Sequence, residues 1–196
     1  MSHPADPLDM FKDWYAEAAA AEDVYPDAAS LATATPDGRP SVRMVLLKGW
    51  DERGVVFYTN LESRKGEELA VNPYAAICLY WKSIRRQVRI EGPAVQVSDD
   101  EADAYFASRD RQSRIGAWAS RQSRPLEGPL ELERAAAKYA AKYAVGTIPR
   151  PPFWSGFRVV PEVVEFWREK PFRLHERLVY RRADEAGGWT TQFLYP

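Results

Sequence analysis

The sequence predicts a mainly β protein, an antiparallel barrel-like sheet with helices at its margins. Three observations carry that prediction. Short runs rich in β-branched and aromatic residues recur along the chain. Tight-turn chemistry joins several of them, as at Pro36-Asp37-Gly38 and Asp51-Glu52-Arg53-Gly54. Helical periodicity is kept to segments beside or between those runs. Strands joined by turns rather than by crossover helices favour an antiparallel barrel over a doubly wound sheet.

Taken in order, Pro7 to Ala21 reads as an amphipathic helix, with Leu8, Phe11, Trp14 and Tyr15 at helical spacing and Asp6 near its start. Ala28 to Thr35 reads as a strand, and the Pro36-Asp37-Gly38 turn leads into a second strand, Ser41 to Leu47. There Arg43 and Lys48 bracket the apolar run Met44-Val45-Leu46-Leu47, which is too short for anything but a buried strand. Strand alternation puts the two cations on opposite faces, and either water or an anion must meet each of them. After the second turn comes the strand Val55 to Thr59, then a helix capped by Ser63, running through Leu69 and stopped at Asn72-Pro73. Tyr74 to Trp81 and Gln87 to Val97 form a strand pair about the turn from Lys82 to Arg86. Asp99 and Asp100 precede a helix through Phe106, and a short helix follows from Ser113 to Ser120. Pro125 to Pro129 breaks the chain before the alanine-rich helix Leu130 to Tyr143, and Pro149-Arg150-Pro151-Pro152 reads as a rigid surface loop. Gly156 to Trp167, Phe172 to Arg182 and Trp189 to Leu194 close the chain as strands.

A length of 196 residues suits one domain over 1–196, with an N-terminal helix in 1–22, a helical insertion in 99–145 and closing strands in 155–196. A formal net charge of −1 argues against a nucleic-acid partner, so the cations read as local pockets for small anions. Cys78 is the only cysteine, which suits a reducing compartment, and with only His3 and His175 a His- or Cys-based metal site is not expected. No apolar stretch approaches membrane-spanning length, so a cytoplasmic location and no membrane partner are expected. There is no GxGxxG, no Walker loop and no CxxC pair.

Several clusters bear chemistry. Ser63-Arg64-Lys65 opens a helix, where backbone amides, a hydroxyl and two cations suit a phosphate monoester, or merely form a capped and solvated helix start. Gln87 stands at a strand start, where its amide can meet a polar heterocycle edge or a neighbouring backbone group. Tyr105, Arg109 and Ser113 recur at four-residue steps, so a continuous helix would place them on one face as a second phosphate pocket or as an exposed flank. Gln122-Ser123 lies in a loop between Arg121 and Arg124, with donors able to reach an anion. In a strand from Phe172, the side chains of Arg173, His175 and Arg177 share one face, a row that calls for an anion or an electron-rich ring over it.

Taken together, the runs RxVLLK (43–48), FYTNxxSRK (57–65), RQVRIxG (86–92), YFxSR (105–109), IGAWxSxQS (115–123), PxPxFWxGFRV (149–159), EFWxxxxxRLHxR (165–177) and the terminal LxP resemble, in order and spacing, the pyridoxamine 5′-phosphate oxidase family. The likeness runs from about Asp6 to the end of the chain. It implies an FMN-binding split β-barrel, antiparallel and Greek-key-like with flanking helices, as a homodimer with FMN at the interface. It implies oxidation of pyridoxamine or pyridoxine 5′-phosphate to pyridoxal 5′-phosphate by molecular oxygen, with release of hydrogen peroxide. Carried over by motif, Arg43, Met44, Val45, Leu46, Lys48, Tyr58, Thr59, Arg64, Lys65, Gln87, Gln122, Ser123, Trp167 and Arg177 match flavin-contacting positions, and Ser63 joins them as the cap of the phosphate-facing helix. Lys48, Tyr105, Arg109, Ser113, Arg173 and His175 match substrate-contacting ones, with Arg173 and His175 at the reacting group. Three departures stand out. A basic N-terminal arm of many relatives is expected to be absent or shortened, Asp110 replaces the usual proline beside the phosphate pocket, and Phe193 replaces a terminal arginine. The alternatives are a same-fold oxidase of another metabolite, as in phenazine pathways, a non-catalytic flavin or pyridoxal-phosphate carrier, and a split-barrel reductase using nicotinamide or deazaflavin. Relatives of the phenazine type typically lack the Lys and Arg/Ser set that Lys48, Arg109 and Ser113 supply here.

Overall fold

The protein is seen here as a computed structural model that describes residues 3–182 and 187–196. Helix α1 (Pro7–Ala21) begins where expected: Leu8 N donates to the Asp6 carboxylate at 2.8 Å, and Pro7 fills a first-turn position that needs no donor. Its apolar stripe, Leu8, Phe11, Trp14 and Ala18, is buried against the sheet. Phe11 is wholly enclosed and meets Trp50 edge-on at 5.5 Å.

Six strands close an antiparallel barrel. They are β1 (Ala28–Ala34), β2 (Pro40–Asp51), β3 (Gly54–Asn60), β4 (Tyr74–Trp81), β5 (Arg86–Gln96) and β6 (Trp154–Val159), paired around the ring in the order β1-β2-β3-β6-β5-β4. Burial alternates with period two along β1 and β4, so Leu31, Ile77 and Leu79 point into the core. Along one edge β5 pairs with β4 from Arg86 to Pro93. Along the other it divides: Ala94 to Gln96 pair with β6, while Arg86 to Glu91 pair with β7 (Val163–Arg168). From β7 the sheet continues outward through β8 (Glu176–Arg182) and β9 (Trp189–Leu194).

The single strand expected over Gly156 to Trp167 is therefore two, β6 and β7, and the reason is local. Pro161 lacks an N–H for the ladder, and the chain crosses there from the barrel to the outer sheet. The Val160 carbonyl rests against Gly92, where a Cβ would come within 2.0 Å of it, so only glycine allows the crossing. Burial of the Met44 to Leu47 run is also corrected. Leu47 is enclosed, but Met44 is 62% and Leu46 36% exposed, because they occupy the outward face of β2. The strand predicted from Phe172 starts only at Glu176. Pro171 to Arg173 instead form a tight turn in which Phe172 and Arg173 take left-handed φ values of 58° and 61°, costly for residues with a Cβ.

Helices flank the barrel. They are α2 (Arg64–Val71), α3 (Asp99–Ser108), α4 (Arg111–Ala119) and α5 (Glu131–Lys142). Buried Arg158 of β6 bridges Asp51 and Glu101, each at 2.7 Å. Arg150 pairs with Asp99 at 2.6 Å and donates to the Trp154 carbonyl at 2.8 Å. Together these fix α3 against β6. Arg109 follows α3 in extended conformation, so the chain forms two helices as expected, and Tyr105, Arg109 and Ser113 do not share one helix face. Replacing Phe11 with Ala is expected to cost about 3–5 kcal/mol of stability, measured by urea unfolding of the whole chain. A loss below about 1 kcal/mol would mean that α1 does not share the cooperative core.

Candidate functional site

A cleft of about 490 Å³ opens between β2, β3, α4 and the loop after α4. That size falls within the range of roughly 300–1,000 Å³ usual for ligand sites. Lys65 reaches it from the first turn of α2, and its ammonium donates to Thr59 Oγ1 at 2.9 Å, Ser63 Oγ at 3.1 Å and Gln122 Oε1 at 3.1 Å. Burial, helped by the nearby positive charge of Arg43, lowers the Lys65 pKa to about 8. A cation so placed favours an anion that can share its desolvated surroundings.

Opposed to this polar corner is an aromatic wall. Tyr58 stacks on Tyr105 with ring centres 3.9 Å apart and on Trp154 at 5.4 Å. Gly156 makes the stack possible, since a Cβ there would come within 2.8 Å of the Tyr58 ring. Arg109 lies over Trp154 at 5.0 Å, and its Nη1 is buried without a partner among the described residues. Burial lowers the Arg109 pKa and raises those of both phenols, Tyr58 to about 12. Tyr58 and Tyr105 therefore stay protonated near neutral pH and can donate. Ser113 lines the cleft from the first turn of α4. Thus Tyr105, Arg109 and Ser113 meet across the helix break rather than along one helix. Asp110 caps α4, accepting from Ser113 N at 2.8 Å, which turns its carboxylate onto the helix start.

The cofactor and substrate positions read from sequence fall into two groups within one chain. Met44, Val45, Leu46, Tyr58, Thr59, Lys65, Arg109, Ser113 and Gln122 line the cleft. Gln87, Trp167 and Arg177 stand side by side on β5, β7 and β8 instead, in the register Gln87↔Trp167↔Arg177. His175 and Arg177 border a separate hollow of about 610 Å³ with Phe172 and Phe193. The His175 ring packs on Trp167 at 4.7 Å, and its Nδ1 accepts from Lys170 N at 3.3 Å. Arg173 sits on the strained turn, so the expected row of Arg173, His175 and Arg177 along one strand face does not form.

Other predicted residues do not line the cleft within this chain. Lys48, at a register shift between β2 and β3, pairs with Asp27 at 2.5 Å. The Ser63 hydroxyl is enclosed, donates to the Asn60 carbonyl at 2.6 Å and caps α2. Arg43 and Arg64 both point at Glu68, and Ser123, with a φ of 70°, borders a smaller hollow beside Arg121 and Arg124. Sequence reasoning missed Trp154, Glu68, Glu165 and Asp27. Trp154 belongs to the FWxGFRV run, which by itself gives it no role. Glu165 and Asp27 had no local signal, because their partners Arg177 and Lys48 lie on other elements, whereas Glu68 had one, standing four residues after Arg64 on the expected helix.

Comparison with known proteins bears on this geometry. A family model described as pyridoxamine 5′-phosphate oxidase matches residues 16–144. A second, described as pyridoxine 5′-phosphate oxidase C-terminal dimerisation region, matches residues 154–196. The chain is 65% identical over 196 residues to the pyridoxine/pyridoxamine 5′-phosphate oxidase of Rhodospirillum rubrum, covering 97% of this chain and 96% of that one. It is 58% identical over 192 residues to the Brucella canis protein of the same name, covering 98% and 95%. Among crystal structures, PhzG from Burkholderia lata in complex with tetrahydrophenazine-1-carboxylic acid aligns with a TM-score of 0.92 at 39% identity, covering 98% of this chain and 94% of that one. An FMN-binding protein from Nostoc punctiforme aligns over the full length of both chains with a TM-score of 0.76 at 20% identity, a likeness of fold.

The lowered Lys65 pKa has a defined sign in binding. An anionic ligand selects the protonated amine, so affinity is expected to be full below about pH 8 and to fall as pH rises through that value. Calorimetric titration of a phosphate-bearing ligand between about pH 6.5 and 9.5 tests this. Lys65→Met should bind weakly with no inflection near 8, and an unchanged inflection in that variant would assign it to another group.

Proposed function

The chain belongs to the pyridoxamine 5′-phosphate oxidase family, and we infer from that premise that two copies join their separate half-sites to hold FMN against a phosphorylated B6 vitamer. The protein is an FMN-dependent oxidase of pyridoxamine and pyridoxine 5′-phosphate that forms pyridoxal 5′-phosphate, with oxygen as acceptor and hydrogen peroxide as by-product. It acts as a homodimer, and the whole of residues 1–196 serves as one functional unit in the cytoplasm. The observation that carries this reading is the pair of desolvated cations on one cleft, Lys65 at a helix start and Arg109 with an unpartnered buried nitrogen. The donor set fits a group bearing a phosphate monoester and a flat ring system, since ammonium, hydroxyl, amide and stacked aromatic surfaces all converge there.

Bound FMN supplies the hydride acceptor that no side chain can provide. The protein's own residues bind, orient and exclude water. Lys65, Thr59, Gln122 and Ser123, with Arg43, Arg64 and capped Ser63 behind them, receive the flavin phosphate. Met44, Val45, Leu46 and Tyr58 border the flavin body. Arg109, Ser113, Tyr105 and Lys48 grip the substrate phosphate, with Tyr105 donating its retained proton. From the partner copy, Gln87, Trp167 and Arg177 close over the flavin, and Arg173 and His175 steer the reacting 4′ group of the substrate. Exposed Met44 and Leu46 are consistent with this, being apolar positions that a second copy would cover. Peroxide release on adding pyridoxine 5′-phosphate distinguishes this reading from a phenazine-type oxidase or a carrier, neither of which would respond.

Replacing Arg173 with Ala should lower turnover by about a hundredfold while flavin content stays near parental. Equal loss of both would make the residue structural. The shared site is tested by mixing. Arg109→Ala and Arg173→Ala dimers, each expected to keep on the order of a hundredth of parental activity or less, should regain about a quarter of it after subunits are exchanged, because each mixed dimer has one intact site. No recovery from verified mixed dimers would place each whole site within one chain.

A further inference from the structure

Glu68 lies on α2, one turn beyond Arg64, and is almost wholly buried. Its Oε2 accepts from the hydroxyls of Thr33 and, at 2.6 Å, Ser41, while Arg43 Nη2 lies 3.4 Å away. Its Oε1 accepts from Arg64 Nε at 2.9 Å. Although burial opposes ionisation, hydrogen bonds from Ser41, Thr33 and Arg64 outweigh it and hold the Glu68 pKa down to about 2. One carboxylate thus ties β1, β2 and α2 together across one end of the barrel. Both terminal nitrogens of Arg43 are held there, with Nη1 donating also to the Leu31 carbonyl at 3.1 Å and to Thr33 Oγ1 at 2.6 Å. Arg64 spends only Nε on the acid, and its terminal nitrogens have no partner among the described residues.

We propose that Glu68 is a positioning residue for the cofactor phosphate, aligning the guanidiniums of Arg43 and Arg64 beside Lys65. This rests on the FMN reading above. The charge count supports it: three cations and one carboxylate leave a net +2, which matches a phosphate monoester of about −2. Without the acid, Arg43, Arg64 and Lys65 repel one another and the planar fork of Arg64 loses its anchor. Removing a negative charge would by itself tighten anion binding, so the proposal requires that lost alignment outweigh that gain.

The test compares FMN with riboflavin, which has the same ring but no phosphate, by fluorescence quenching on apoprotein. Glu68→Ala should weaken FMN binding at least about tenfold and leave riboflavin binding unchanged, with Glu68→Gln, which keeps an acceptor oxygen, falling between. Equal losses for both ligands would make Glu68 a structural residue, and unchanged or tighter FMN binding would also overturn the proposal. If Glu68→Ala does not fold, Glu68→Gln and Ser41→Ala carry the same comparison. Arg43→Ala and Arg64→Ala separate the two readings. If neither weakens FMN binding, the phosphate lies elsewhere and both readings fall. If both weaken it and the Glu68 variants do not, only the role of Glu68 falls.

Discussion

Keeping several cations charged at the end of a dry barrel is the constraint around which this protein is arranged. Arg43, Arg64 and Lys65 gather where β1, β2 and α2 meet, and burial there disfavours the charge of Arg43 and Lys65. Two devices offset that cost. Hydroxyls and the Gln122 amide surround Lys65, while the ionised Glu68 carboxylate holds the guanidiniums. What remains is a surplus of positive charge at a helix start, a place suited to an anion.

The division of β5 has a comparable reach. Pairing with both β6 and β7, this strand belongs at once to the barrel and to the outer sheet. The barrel side presents the cleft. The outer side presents Gln87, Trp167 and Arg177, with Arg177 fixed by Glu165 at 2.8 and 3.0 Å. In the proposed dimer a second copy brings one side onto the other and covers the exposed apolar residues of β2. The strained turn at Phe172 and Arg173 belongs to the same logic. Two consecutive left-handed residues turn the chain there and set Arg173 outside the strand that begins at Glu176.

Much of the fold was legible in sequence. The span of α1, the capping of α2 by Ser63, and strands β4 and β9 follow from local rules, namely apolar spacing, cap chemistry and turn residues. Misreadings arose where a distant contact overrode the local pattern. An unbroken strand over 156–167 ignored Pro161 crossing at Gly92. A second helix starting at Ser113 overlooked Asp110, whose cap starts it at Arg111. Burial of Met44 and Leu46 assumed that one chain must cover its own apolar residues.

By itself the sequence determined which residue types would be present, and in what order, because the motifs carrying the anion-binding side chains are local strings. It also determined that the chain would build an antiparallel sheet, since alternation and turn chemistry act over a few residues. Only the tertiary structure decided which of those side chains meet. Arg109 finds Trp154, Lys65 finds Gln122, and Arg43 finds Glu68 through pairings between elements far apart in the chain. The separation of the site into two groups was likewise decided by strand order, a property of the closed barrel that no single segment contains.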